Sequence, residues 1–203
     1  FLHRPDLNKT IDVLYLTHPH IDHTRGAKEV WKNYQVRNLV TNGSTESSSG
    51  SAQQKWVQDQ ASSTEETDTM TDDIGYRGVR VEEIPPNGLT NAVIDPLHCP
   101  SGDPVFTVLW GSLGAKPNGW TKKEFENENN HSVVLRVDYG SSSLLIPGDI
   151  EEEAIDQLVG RYAGTRLLDV DVAHMAHHGS RNGTTLQLLQ AEAPAIAVFA
   201  AGD

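Results

Sequence analysis

The stretch His18-Pro19-His20-Ile21-Asp22-His23 places four metal-binding side chains within six positions. It directly follows residues 11–17 (IDVLYLT), a β-branched and aromatic run that predicts a buried strand. Zinc binds imidazole nitrogen and carboxylate oxygen, and a catalytic zinc site needs converging ligands with one position left for water. Side chains that alternate in direction just past a strand end can aim two imidazoles at one ion and a carboxylate with an imidazole at a second. The stretch therefore predicts a metal site.

Strand and helix patterns alternate along the rest of the chain. Predicted helices cover residues 25–34, 151–162 and 184–192, and predicted strands cover residues 11–17, 36–41, 78–84, 106–110, 132–137, 143–146, 169–173 and 195–200. The alternation predicts an α/β fold, and 203 residues suit a single domain over 1–203. Residues 42–73 are rich in Ser, Thr, Gln and acids, which predicts a surface insertion with a short helix around 52–60.

The composition restricts the partners that the chain can have. A net charge of −12 repels long nucleic acid unless bound metal or a local basic patch reverses the field, so we expect a small or locally bound anionic substrate. The single cysteine, Cys99, forms no internal disulfide. The mean hydropathy is −0.45, and neither a long apolar run nor a signal-peptide pattern occurs, which predicts a soluble chain and leaves its compartment open.

Three further segments carry side chains that bind metals. His131 precedes the predicted strand 132–137, Asp149 follows the strand 143–146, and the pair His177 and His178 follows the strand 169–173.

These segments resemble the motifs of the metallo-β-lactamase superfamily. The HxHxDH pattern of residues 18–23 matches its signature, and NNHSVVLR (129–136), GDIE (148–151) and HHGS (177–180) are similar to the hydrolase-like domain of ComEC-type DNA-uptake proteins and their free-standing relatives. The resemblance implies an αββα sandwich, with two mixed sheets flanked by helices. Only seventeen residues precede His18, fewer than this family has, so we expect that N-terminal strands are missing and that both termini are truncated.

The resemblance also implies a ligand set for two divalent ions, zinc or alternatively manganese. The first ion would be held by His18, His20 and His131. The second would be held by Asp22, His23 and either His177 or His178, and Asp149 would bridge the two ions. We favour His177 because it lies nearer the strand end.

The activity implied is hydrolysis, because two such ions acidify a bridging water to hydroxide and stabilise negative charge. Asp22 would orient the hydroxide, and whichever of His177 and His178 is free of metal would assist an oxyanion or leaving group. Asn129, Asn130 and Ser180 are candidate substrate contacts, although turn formation by the asparagines and helix capping by the serine are alternatives.

The resemblance to a DNA-processing branch favours phosphodiester or phosphate-ester bonds as the substrate. Hydrolysis of a β-lactam, lactone or thioester by the same site is an alternative. A third reading is a metal-binding accessory domain of a DNA-uptake assembly.

Overall fold

The computed structural model describes residues 9–44, 48–63, 75–98 and 102–200, and its first half forms a parallel sheet. Strands β2 (Leu14–Leu16), β4 (Asn38–Thr41) and β5 (Gly75–Gly78) lie in the order β2-β4-β5 and all run parallel. Two short strands, β1 (Thr10–Ile11) and β3 (Gln35–Val36), form a separate parallel pair. The carboxyl ends of the parallel strands therefore lie at one edge of the sheet.

The second sheet has five strands and mixed direction. It consists of β6 (Val105–Trp110), β7 (Val134–Tyr139), β8 (Ser142–Ile146), β9 (Val172–His174) and β10 (Ile196–Val198), in the order β10-β9-β8-β7-β6. β7 is antiparallel to β6 and β8, whereas β8, β9 and β10 run parallel. The start of β7 thus lies at the same edge as the ends of β8 and β9.

Six helices lie among the described residues. They are α1 (Ile21–Thr24), α2 (Ala27–Asn33), α3 (Ser51–Ser62), α4 (Lys122–Phe125), α5 (Glu152–Arg161) and α6 (Leu186–Glu192). α5 begins with acidic residues, which suits the positive end of a helix dipole, and buries one apolar face. None of the described helices is long and apolar enough to cross a membrane.

The apolar residues form three layers of core between four layers of structure. Neighbouring strand residues face opposite sides, so Leu39 joins a cluster with α2 and α3 while Val40 packs in the cluster between the sheets. In β6, Val108 faces the first sheet, and Leu109 packs in the cluster that contains α5 and α6. The order is helices, sheet, sheet, helices, which confirms the predicted αββα sandwich.

Most predicted elements form within a few residues of their expected bounds, with one difference. The predicted strand over 78–84 is wrong, because β5 ends at Gly78 and a 3₁₀ turn follows at Val81–Glu83.

The helix expected around 52–60 forms as α3, which packs closely on the first sheet. Its buried Gln54 donates to Asn42 Oδ1 at 2.8 Å and its buried Gln58 donates to Thr41 Oγ1 at 2.9 Å. Residues 45–47 and 64–74 of this predicted insertion, and Cys99, lie outside the described part of the chain.

Candidate metal centre

The His18–His23 stretch forms a tight loop beyond the end of β2. α1 begins at Ile21, directly after His20, whose carbonyl accepts from Thr24 N at 3.1 Å and Thr24 Oγ1 at 2.9 Å. Gly50 approaches this loop so closely that a Cβ there would lie 2.2 Å from Thr24 Oγ1 and 2.7 Å from the His20 carbonyl. The segment before α3 therefore supports the ligand loop from outside, and only glycine fits at that contact.

Four donor side chains converge at the shared edge of the sheets. Asp22 and His23 come from α1, Asp149 follows β8, and His178 follows β9; one donor atom of each lies within 4.8 Å of all the others. Asp149 Oδ2 lies 3.1 Å from His23 Nε2 and 3.4 Å from His178 Nε2. Asp22 Oδ2 lies 3.3 Å from His178 Nε2. Two carboxylates and two imidazoles are a donor set suited to zinc.

His18 and His20 lie beside this group. His18 Nε2 is 3.0 Å from His20 Nδ1 and 3.8 Å from Asp149 Oδ2. The same Asp149 oxygen thus faces His18 as well as the two histidines of the four-donor group.

The surroundings favour the protonation states that metal ligands need for His18 and Asp149, whereas for His23 without a metal they favour the charged imidazolium. Burial, and then the neighbouring His23, lower the pKa of His18 to about 3, which leaves its imidazole neutral at neutral pH. Burial alone would raise the pKa of Asp149, but the hydrogen bond and charge of His23 outweigh it and hold that pKa below its usual value. Burial would lower the pKa of His23, and its contact with Asp149 raises it instead. Asp149 is accordingly ionised at neutral pH.

The structure does not bring His131 together with His18 and His20, and its expected place in the first site stays a prediction. Its Nδ1 accepts from Leu113 N at 3.0 Å, and its Nε2 donates to the Phe125 carbonyl at 2.6 Å, so both ring nitrogens are engaged. The next residue, Ser132, faces the centre instead. Its Oγ lies 3.2 Å from His18 Nδ1 and accepts from Asp149 N at 3.1 Å.

The preference for His177 over His178 is likewise not supported by the geometry. Both residues adopt left-handed backbone angles, with φ of 47° and 56°, so the chain turns sharply after β9. The turn directs His177 Nδ1 toward Glu151 Oε1, at 3.3 Å, and brings His178 into the donor group. His178 Nδ1 lies 3.0 Å from the Ala200 carbonyl, which can only accept, so Nδ1 carries the proton and Nε2 has a free lone pair.

The three candidate substrate residues all have protein partners. Asn129 Nδ2 donates to Glu151 Oε1 at 2.7 Å, and buried Asn130 donates to the Glu124 carbonyl at 3.0 Å and accepts from Glu151 N at 3.1 Å. Ser180 Oγ donates to Asn182 Oδ1 at 2.6 Å. Ser180 does not cap the following helix either.

Thr185 is the residue that caps α6, because its side chain accepts from Leu188 N. The sequence reasoning also missed Thr17, Ser132 and Glu151. Glu151 completes a small polar group, since it accepts from Asn127 Nδ2 at 3.0 Å besides its contacts with Asn129 and His177. The position of Thr17 next to the HxHxDH pattern was the only signal for it, and the position of Ser132 next to His131 was the only signal for Ser132.

Two open cavities adjoin the segments that flank the centre. One, of about 840 Å³, is lined by Glu151 together with Lys122 and Lys123. The other, of about 660 Å³, is lined by His131, Arg80 and Ser44 among others. Both walls combine positive and negative side chains, and neither wall includes a residue of the four-donor group.

Comparison with known proteins agrees with this geometry. The chain is 33% identical over 85 residues to the uncharacterized protein YcaI of Escherichia coli K12, covering 42% of this chain and 10% of that protein. It is 37% identical over 76 residues to competence protein ComA of Neisseria gonorrhoeae, and 36% identical over 75 residues to recombination protein 2 of Haemophilus influenzae. Each of these two matches covers 37% of this chain, and they cover 11% and 9% of those proteins, so the matched part is about a tenth of each relative. The sequence profile of the metallo-beta-lactamase superfamily matches residues 5–203, and the chain belongs to that superfamily.

Proposed function

We propose that this chain is a two-metal hydrolase that cleaves phosphodiester or phosphate-ester bonds. The observation that carries the proposal is the convergence of Asp22, His23, Asp149 and His178 within 4.8 Å, from three separate parts of the chain. These four residues would hold one ion. His18 and His20 would hold the other, with Asp149 shared between them. Packing of the core does not by itself require that so many metal-binding side chains meet at one edge of the sheets.

The chain's own residues suit hydrolysis. Divalent ions bound here would acidify a water molecule and stabilise negative charge on the attacked group. The Asp22 carboxylate lies at the exposed side of the group, where it can orient that water. His177, whose Nδ1 lies 3.3 Å from Glu151 Oε1, is the histidine of the pair left free of metal in this proposal. In this proposal the water oxygen forms the new bond to phosphorus and its proton passes to solvent, while the P–O bond to the leaving group breaks as His177 gives the leaving oxygen a proton.

The choice of a phosphate ester follows from the relatives and from the charge. Two of the relatives are named as competence and recombination proteins, which associates this branch with DNA. The net charge of −12 opposes binding of a long polyanion over the whole surface. A small phosphate ester, or a strand end that reaches the bound ions, avoids most of that repulsion.

A substrate panel tests the proposal. Purified chain is loaded with zinc or manganese and assayed with bis-p-nitrophenyl phosphate, single-stranded DNA, nitrocefin and a lactone. We expect turnover of the first or second substrate, about two zinc ions per chain, and loss of metal in His20→Ala. Turnover of nitrocefin or the lactone alone would favour the β-lactam, lactone or thioester alternative. A chain that binds no metal and is unaffected by His20→Ala contradicts the hydrolase proposal.

The accessory-domain alternative rests on the competence relative. Competence protein ComA of Neisseria gonorrhoeae is matched over only a small part of its length, so the role of the corresponding segment there can differ from catalysis. A metal-loaded chain that binds single-stranded DNA but turns over none of the four substrates would support this alternative.

A further inference from the structure

The hydroxyl of Thr17 touches two histidines that belong to different halves of the centre. Thr17 is half-buried between the end of β2 and the ligand loop, and its Oγ1 lies 3.1 Å from His18 Nδ1 and 3.2 Å from His23 Nδ1. His18 is paired with His20, whereas His23 is part of the four-donor group. The two imidazoles also lie close together, with ring centroids 4.2 Å apart.

The opposite nitrogen of each ring faces the centre. His18 Nε2 and His23 Nε2 lie 3.8 Å and 3.1 Å from Asp149 Oδ2. A neutral imidazole has one N–H and one lone pair, so a ring that gives its Nε2 lone pair to a metal keeps its proton on Nδ1. A hydroxyl has two lone pairs but only one proton. Thr17 Oγ1 can therefore accept from both Nδ1–H groups at once, but it can donate to only one ring.

We infer that Thr17 is a positioning residue that holds both His18 and His23 in the Nδ1–H form and thereby links the two metal sites. The inference rests on the proposed two-metal function. Partners of this kind fix the orientation and tautomer of ligand histidines. Ser132 differs from Thr17, because its Oγ contacts the ring of His18 and the backbone N–H of Asp149. Loss of the Thr17 hydroxyl should weaken both sites.

The first test measures zinc affinity by competition with a chromogenic chelator. In Thr17→Val, which keeps the side-chain shape, we expect both zinc ions to bind about 10- to 100-fold more weakly than in the wild type. Thr17→Ser restores the hydroxyl and should restore the affinity. The matched control is Thr41→Val on the paired strand β4, because the Thr41 hydroxyl accepts from Gly43 N and Gln58 Nε2, both at 2.9 Å. This control should lower stability while zinc affinity is unchanged.

The second test uses the wild type and so does not depend on how any variant folds. Long-range ¹H–¹⁵N spectra of the zinc-loaded protein, with ¹⁵N in the histidines, report which ring nitrogen carries the proton. We expect the proton of His18 and of His23 on Nδ1. A proton on Nε2 of either ring overturns the inference.

The outcomes separate this inference from the proposed function. A wild type that binds no zinc contradicts the proposed function itself. A wild type that binds two zinc ions, together with a folded Thr17→Val variant of equal affinity, contradicts the role of Thr17 alone. Weaker binding of only one of the two zinc ions in Thr17→Val also overturns the inference, because a hydroxyl shared by both rings must affect both sites.

Discussion

His131 and Ser132 are neighbours in sequence, but they face opposite sides of the chain at the start of β7. The ring of His131 hydrogen-bonds to the Leu113 N–H and the Phe125 carbonyl. The Ser132 hydroxyl instead contacts the ring of His18 and the backbone N–H of Asp149. A histidine in a segment that resembles a ligand motif is the natural candidate from sequence. Which of two successive side chains faces the site, however, depends on the 3₁₀ turn at Glu128–His131, and residue types do not encode that turn.

This geometry predicts the effect of His131→Leu. The substitution leaves the Leu113 N–H and the Phe125 carbonyl without their partner, so we expect it to lower the free energy of unfolding by about 1–3 kcal/mol. Zinc content should stay at the wild-type value. Urea denaturation and metal analysis of the same preparation measure the two effects. If a folded His131→Leu variant lost zinc, His131 would be a ligand after all.

At the scale of elements, the spacing of apolar residues predicted helices correctly, whereas contacts between buried polar side chains could not be predicted. The helix predicted over 151–162 forms as α5 because its apolar residues recur at helical spacing. α3 looked like part of a surface insertion because glutamines occupy its buried face, where hydrogen bonds to Asn42 and Thr41 satisfy them. Such pairing depends on contacts between elements, and no local pattern reveals it.

The last turn of α6 contains a buried acid that should make stability depend on pH. Glu192 is 1% exposed, neither carboxylate oxygen has a hydrogen-bond partner among the described residues, and burial raises its pKa to about 8. The folded state therefore holds this proton above the pH at which the unfolded chain releases it. Stability from this group is present at low pH and is lost as pH rises from the unfolded pKa through about 8.

Glu192→Gln tests this dependence, because glutamine has nearly the same shape and does not ionise. Between pH 5 and pH 8 we expect the wild type to lose roughly 3 kcal/mol more unfolding free energy than the variant. Chemical denaturation at both pH values, with a chelator present throughout, gives the comparison. Parallel losses in the two proteins would mean that Glu192 is ionised in the folded state.

At the scale of the whole molecule, the order of the motifs predicted the four-layer fold and the strand edge at which the site lies. Asp22, His23 and Asp149 come together as the motifs imply. The choice between His177 and His178 could not be predicted, because it follows from two successive left-handed residues after β9. Nearness to the strand end would make His177 the ligand only if the chain continued in extended form after β9.

Metal binding should stabilise the whole domain. Asp22 and Asp149 lie in one group, and their carboxylates repel each other until cations neutralise them. A ligand that binds only the folded state adds about 2.7 kcal/mol of stability at a hundred times its Kd. For a chain of this length, that corresponds to a rise in Tm of roughly 5–10 °C. Thermal unfolding with zinc and with a chelator checks this, and equal Tm values would contradict a structural link between metal and fold.

The most direct test of the centre is the zinc content of His178→Ala and His177→Ala, measured after dialysis beside the wild type. The two residues are adjacent and share a left-handed backbone, so each variant is the matched control of the other. Because His178 lies in the donor group and His177 faces Glu151, His178→Ala should lose the zinc ion of that group, and His177→Ala should keep the wild-type content. Loss of zinc from His177→Ala with retention in His178→Ala would contradict the arrangement of the metal centre described above.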